Sequence, residues 1–294
     1  MLAKTKVVLI TGCSSGIGKL TALSFVQAGY TTYATARKPE TLDDLKARGC
    51  HTLQLDVTDE KSMKTAVQEM ERQHGAVDIL VNNAGYGLTG PVEELDMASV
   101  KHQFETNVFG LVRLSQLVLP GKRRKGWGRV INIGSVGGTF TAPGAGAYHA
   151  SKWAVESFND ALRYEVKPFG VDVVLIQPTG VYTEFDKKIA VSSSPLSANS
   201  PYKFFMDNHV KVTTQMFSGN SSAGIIKAED VAKIILKAAQ VHRPRTRYKV
   251  GLSAHIYSGL RRLVSDRQWD AMMARQFPMQ SKAKGTSDLK SAKQ

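Results

Sequence analysis

Cysteine is nearly missing from this chain: Cys13 and Cys50 are the only two among 294 residues. Two thiols cannot build a disulfide framework, and neither has metal-ligand spacing around it, so no metal site is expected. A reducing, cytoplasmic setting is the expectation that follows. Long apolar runs are also absent, and none approaches the length of a bilayer span. The first residues enter a strand pattern directly, without the zones of a secretory leader. Acidic residues are few against basic ones, 25 to 39, leaving a net charge of +14. Such a surplus invites a nucleic-acid or membrane reading. Its location argues against one: residues 241–294 hold twelve Lys or Arg against three Asp, so most of the surplus is C-terminal. That segment reads as a solvated basic tail, with no nucleic-acid partner expected and membrane-surface contact by a C-terminal helix as the lesser alternative. Material for a core is plentiful, at 42% apolar and 8% aromatic residues.

Patterns of strand and helix then alternate along the chain. Lys6-Val-Val-Leu-Ile-Thr11 has the character of a buried strand, Gly12-Cys-Ser-Ser-Gly16-Ile-Gly18 follows, and a helical pattern runs to Ala28 before Gly29 stops it. Strand, glycine-rich turn and helix together aim backbone N–H groups and a helix N-terminus at a phosphate. The spacing is G-x-x-x-G-x-G, not G-x-G-x-x-G, and Gly18-Lys19-Leu20 lacks the ending of a P-loop. Further strands are predicted over residues 31–36, 51–55, 77–81, 127–134, 171–176 and 247–251. Helices are predicted over 42–48, 61–74, 100–119, 147–166, 229–239 and 254–277. This order specifies an α/β fold, a Rossmann-type doubly wound parallel sheet of about seven strands in a single domain. Ligands in such sheets bind beyond the carboxyl ends of the strands. Gly12, Arg37, Asp56, Asn82, Ser135 and Thr179 all fall at those ends.

The chemistry-bearing stretch is Ser135 with Tyr148-His149-Ala150-Ser151-Lys152. Tyr148 and Lys152 are four apart and share a helix face. An ammonium beside a phenol favours the phenolate, so Tyr148 could exchange a proton with a substrate oxygen near neutral pH while Ser135 holds that oxygen. His149 reads as structural or pocket-lining in preference to a general base.

Thr11-Gly-x-x-x-Gly16-Ile-Gly18, Asp56, Asn82-Asn-Ala-Gly85, Asn107, Ser135, Tyr148-x-x-x-Lys152 and the Pro178 segment stand in an order and spacing that resemble the short-chain dehydrogenases/reductases, over roughly residues 6–183. Tyr33-Ala-Thr-x-Arg37 and Gly134-Ser-Val-Gly-Gly138 look like the branch of 17β-hydroxysteroid and retinol dehydrogenases. The resemblance implies that Gly12, Ser14, Gly16, Ile17 and Gly18 wrap the cofactor's pyrophosphate and adenosine. It implies that Asp56 and Val57 bracket the adenine, and that Asn83, Ala84 and Gly85 support the ribose. It assigns Tyr148 as proton donor, Lys152 to the nicotinamide ribose and to lowering the Tyr148 pKa, Asn107 to a water relay, and Ser135 to the carbonyl. Pro178, Val181 and Thr183 would border the nicotinamide, with Thr183 on its carboxamide. Pro178-Thr179-Gly180 departs from the family's Pro-Gly, and Ser15 stands where many NADP-dependent relatives carry a basic residue.

At the end of the second strand no acid occurs before Glu40, and Arg37 instead offers a guanidinium to a 2′-phosphate, which points to NADP(H). The expected activity is NADPH-dependent reduction of a hydrophobic ketone or aldehyde; steroid, retinoid, acyl thioester and small aromatic ketone all fit. A non-catalytic NADP-binding regulator, and a membrane-surface or nucleic-acid binder using the basic segment, are the alternatives. Residues 1–251 would form the catalytic domain, with an aromatic-flanked substrate lid over 184–224 that includes Phe205 and Phe217. Residues 252–294 would add an amphipathic helix and basic tail. A homodimer or homotetramer is expected through the helices carrying Asn107 and Tyr148.

Overall fold

A computed structural model of the chain describes residues 5–182, 199–217 and 226–279. Its centre is a seven-stranded sheet. In chain order the strands are β1 (Val7–Ile10), β2 (Thr31–Ala36), β3 (His51–Gln54), β4 (Ile79–Asn82), β5 (Gly128–Ile133), β6 (Val171–Pro178) and, after the two-residue strands β7 (Val181–Tyr182) and β8 (Ile226–Lys227), β9 (Arg247–Val250). They lie in the order β3-β2-β1-β4-β5-β6-β9, every pair parallel. β1 reads Val-Val-Leu-Ile with all four residues buried, as a strand covered on both faces must. One face packs Phe25, Leu42, Leu45, Val231 and Ile235 against the sheet, and the other packs Met63, Val67, Met70, Leu114 and Val118. The chain runs outward from β1 to β3, then returns to place β4 on the other side of β1. That reversal opens a crevice at the carboxyl ends.

The helices on the sheet are α1 (Gly16–Gln27), α2 (Asp43–Ala47), α3 (Glu60–His74), α4 (Met97–Phe104), α5 (Gly110–Lys125), α6 (Gly146–Val166) and α8 (Ala228–Gln240). The long helix predicted around Asn107 is α4 and α5 joined by a widened π-helical turn, Glu105–Phe109. Directly after it, a Cβ on Gly110 would lie 2.4 Å from the Val57 carbonyl oxygen, so the helix approaches the β3–α3 loop as closely as backbone allows.

Two expectations change. The single helix predicted over 254–277 is two, α9 (Leu252–Leu263) and α10 (Asp266–Gln276), because Ser265 and Gln268 form a capping box that starts a new helix. Within the region read as an irregular lid, α7 (Lys203–Phe217) is helical. Phe205 and Met206 from α7 bury against Trp269, Met273 and Phe277 in a separate apolar cluster. Among the described residues no helix is long and apolar enough to cross a membrane.

Candidate active site

A cleft of about 720 Å³ follows the carboxyl ends of the strands. At one end lies the glycine turn. Gly12 and Gly16 have φ of 71° and 56°, a region that glycine enters without strain. Close approach is the second requirement. A Cβ on Gly12 would sit 2.9 Å from the Ala84 Cα, and one on Gly18 would sit 2.3 Å from the Gly12 carbonyl oxygen and 2.5 Å from Asn83 Nδ2. The Asn83 amide donates to the Thr11 and Gly12 carbonyls at 2.9 and 3.1 Å, while Thr11 Oγ1 accepts from the N–H groups of Asn83 and Ala84, each at 3.0 Å. Gly12, Ser14, Gly16 and Ile17 line the cleft, and Gly18 is buried beneath it. The first turn of α1 carries no acid, so its N-terminus can face an anion.

Farther along, Arg37 reaches the cleft from the end of β2, its carbonyl accepting from Gln54 Nε2 at 3.1 Å. No carboxylate pairs with its guanidinium among the described residues. Asp56 Oδ1 accepts from the Thr58 N–H at 2.9 Å and from Thr58 Oγ1 at 2.8 Å, a turn cap that still leaves Asp56 on the cleft wall beside Val57. Tyr86, His102 and Thr106 also line the wall, and sequence reasoning missed them. Tyr86 directly follows Asn82-Asn-Ala-Gly85, which was the available signal. Burial raises its phenol pKa and the Arg37 charge opposes that rise.

The other end holds the groups that the sequence singles out as catalytic candidates. Asn107 is buried in the widened turn, and its side chain is fully engaged: Oδ1 accepts from the Tyr86 N–H at 3.0 Å, and Nδ2 donates to the Tyr86 carbonyl at 2.8 Å and to Ser151 Oγ at 3.0 Å. It ties the 85–86 segment to α6 and stands behind the cleft wall. A Cβ on Gly85 would lie 3.1 Å from Asn107 Oδ1 and 3.9 Å from Lys152 Nζ, so both side chains pack against Gly85. Ser135 follows β5, with Oγ accepting from the Gly137 N–H at 3.0 Å. Tyr148 and Lys152 occupy one face of α6, with Nζ 5.8 Å from the ring centroid. Lys152 Nζ donates to the Ile133 carbonyl at 2.9 Å, and burial pushes its pKa down to about 8. Pro178 ends β6, Val181 pairs with Ile226, and both line the cleft. Thr179 Oγ1 lies 2.7 Å from Ser253 Oγ, fixing the strand exit to the start of α9. Thr183 lies outside the described residues, as does Phe185. Phe205 does not reach the cleft wall. Phe140 does line the cleft with Ser135 and Tyr148, and its ring also meets Tyr257 and Trp269.

The glycine turn, the Asn-Asn-Ala-Gly segment and the Ser, Tyr and Lys groups therefore share one cleft. The short chain dehydrogenase family profile matches residues 6–193. The chain belongs to the short-chain dehydrogenase/reductase family. As a family member it is an oxidoreductase with a Rossmann-type sheet. Human 17-beta-hydroxysteroid dehydrogenase type 1 is similar at 36% identity over 263 residues, covering 84% of this chain and 77% of that protein. A short-chain dehydrogenase from Streptomyces avermitilis superposes with a TM-score of 0.76 at 31% identity, covering 98% of this chain and all of that one. A serine dehydrogenase in complex with NADP+ superposes with a TM-score of 0.72 at 28% identity, covering 83% and 94% of the two chains.

Proposed function

We propose that this short-chain dehydrogenase/reductase reduces a hydrophobic ketone or aldehyde with NADPH, and reversibly oxidises the alcohol. The observation that carries the reading is the meeting of Ser135, Tyr148 and Lys152 in the cleft that begins at the glycine turn. The residues fit the cofactor. Gly12 and Gly18 leave no room for a Cβ, α1 opens toward the cleft, and Arg37 is a guanidinium with no carboxylate paired to it among the described residues. Gly12, Ser14, Gly16 and Ile17 would hold the phosphates, Asp56 and Val57 the adenine, Asn83, Ala84 and Gly85 the ribose, and Pro178, Val181 and Thr183 the nicotinamide end. Arg37 would take the 2′-phosphate, which is consistent with the NADP+ bound by the serine dehydrogenase neighbour.

The bound cofactor supplies the hydride, and the chain supplies orientation and the proton. Ser135 Oγ already accepts from the Gly137 N–H, so its own O–H is directed to the substrate carbonyl oxygen. Tyr148 donates the proton to that oxygen. Lys152 spends one N–H on the Ile133 carbonyl and keeps two for the tyrosine and ribose hydroxyls. Asn107 would act indirectly, by tying Tyr86 to Ser151, the neighbour of Lys152 on α6.

Val136, Phe140 and Val181 give the reactive end an apolar wall, which supports a hydrophobic substrate. We further propose that 184–224, whose described residues 199–217 include α7, covers the substrate, and that copies of the chain associate through α5 and α6. Phe109 in the widened turn that leads into α5, and Trp153 and Tyr164 on α6, are 50%, 48% and 84% exposed, which favours a partner over solvent. A cytoplasmic location accords with the two free thiols. The test is NADPH and NADH oxidation by the purified protein against a panel of carbonyl compounds. Turnover with NADPH and bulky ketones is expected; an inert protein would overturn the reading.

A further inference from the structure

The reaction as described makes no use of His149, yet this imidazole is buried beside Tyr148 and both of its nitrogens meet backbone. Nδ1 lies 2.8 Å from the Gly137 carbonyl oxygen, and Nε2 faces the Ala142 N–H at 3.3 Å. A carbonyl can only accept and an amide N–H can only donate, so Nδ1 carries the proton and Nε2 does not. Gly137 is thus held through both of its peptide groups, its N–H on Ser135 Oγ and its carbonyl on His149. A Cβ on Gly137 would fall 2.9 Å from His149 Nδ1, so the ring occupies the space that a side chain would need. Between the two clamped ends of this turn lies Phe140, its ring centroid 5.6 Å from that of His149. On the far side, a Cβ on Gly144 would lie 2.7 Å from His209 Cδ2, so α7 rests on the same loop.

We propose that His149, as the neutral Nδ1–H tautomer, is a positioning residue that fixes the Ser135 hydroxyl and the Phe140 wall against the substrate carbonyl, and that its protonation loosens this turn. The inference rests on the carbonyl-reductase reading of the same cleft. Protonated Nε2 would turn its N–H against that of Ala142, and the Phe140 carbonyl is the nearby acceptor to which it would swing. The titratable groups around the ring are Tyr148 and Lys152 on its own helix and His209 on α7; the 136–142 turn brings none. Burial holds the His149 pKa below 6.5, against a smaller opposing pull from the Gly137 and Phe140 carbonyls. The neutral clamp therefore persists through neutral pH and is lost in acid below that value.

The experiment measures kcat, KM and their pH profiles for wild type, His149→Leu and His149→Asn, alongside NADPH affinity. Wild type should lose kcat below pH 6.5. Leucine should lower kcat by about tenfold or more, the cost of an unpaired buried carbonyl, with NADPH affinity nearly unchanged. Asparagine can offer an N–H to the Gly137 carbonyl and should recover most of that loss without the acid limb. A leucine variant with wild-type kcat, or an acid limb that survives in the asparagine variant, would overturn the inference. If leucine does not fold, the asparagine profile decides. Ring ¹⁵N shifts of wild type give a readout independent of turnover: an Nε2–H tautomer contradicts the clamp whatever the reaction. Wild type inert toward every carbonyl would instead sink the reductase reading, leaving the tautomer to be judged by those shifts.

Discussion

Two lysines are buried at opposite ends of the same sheet, and only one faces the cleft. At the amino ends of the strands, Lys122 Nζ donates to the Val77 and Asp78 carbonyls, both at 2.7 Å, and the side chain is fully enclosed. At the carboxyl ends, Lys152 Nζ donates to the single carbonyl of Ile133 and borders the cleft. Burial lowers both pKa values, to about 7 for Lys122 and about 8 for Lys152. Desolvation alone therefore does not mark a catalytic lysine. What separates them is spare donor capacity and what that capacity faces. Arg129 repeats the contrast: it is buried at the amino ends, with Nη1 on the Ala238, Ala239 and Val241 carbonyls that end α8 and Nη2 on Asp172, whereas Arg37 at the carboxyl ends has no carboxylate partner among the described residues.

The largest expected effect comes from removing Lys152. Lys152→Ala should lower kcat/KM by about 10²–10⁴-fold while thermal unfolding shows a folded protein. Lys122→Met is the converse. It strands the buried Val77 carbonyl and leaves the Asp78 carbonyl with the Arg129 N–H alone, and should cost about 1–3 kcal/mol of stability, with kcat little changed below the melting temperature. A Lys122 variant that loses turnover but not stability would break the comparison.

A pH series separates the two consequences of burial. The folded pKa of each lysine lies below the unfolded value of about 10.4, so the unfolded chain binds more protons between them. These groups' contribution to stability should then rise with pH from about 7 for Lys122 and about 8 for Lys152. In the proposed mechanism reduction draws on the Lys152 ammonium and should fall as pH passes about 8. Chemical denaturation and initial rates, measured together from pH 7 to 10, should move in opposite directions; parallel decline would contradict the assignment.

A smaller, more selective effect is expected at Arg37. Charge-assisted hydrogen bonds contribute about 1.5–3 kcal/mol, so Arg37→Ala should weaken NADPH by about one to two powers of ten and leave NADH nearly unaffected. Ala36→Asp should shift preference toward NADH by adding attraction to the ribose hydroxyls and repulsion of the phosphate. Equal losses for both cofactors in kcat/KM would remove Arg37 from phosphate recognition.

How much of this was legible in the sequence follows from the range of the interactions. Strand ends are local events, so Gly12, Arg37, Asp56, Asn82, Ser135 and Thr179 could be put at one edge from pattern alone. Tyr148 and Lys152 needed only helical spacing. The Asn107 side-chain contacts were hidden because its partners are the backbone of residue 86 and Ser151, twenty-one and forty-four positions away. Helix α7 was obscured by the polar residues 190–201 before it, although Phe205, His209 and Val212 have the spacing of a buried face. A break at Val264-Ser265 was readable in Ser265 and Gln268, three apart, but the apolar periodicity on both sides masked it. The burial of Lys122 depends on a strand end more than forty residues earlier, which no local pattern records.

Turnover by Tyr148→Phe tests the central claim most directly, because the substitution removes the phenolic O–H and leaves the ring on α6. With NADPH and the best ketone found for wild type, the account predicts that the variant binds NADPH with wild-type affinity, followed by its fluorescence, and turns over at no more than a few per cent of the wild-type rate. A variant that keeps substantial activity would show that the proton comes from another group.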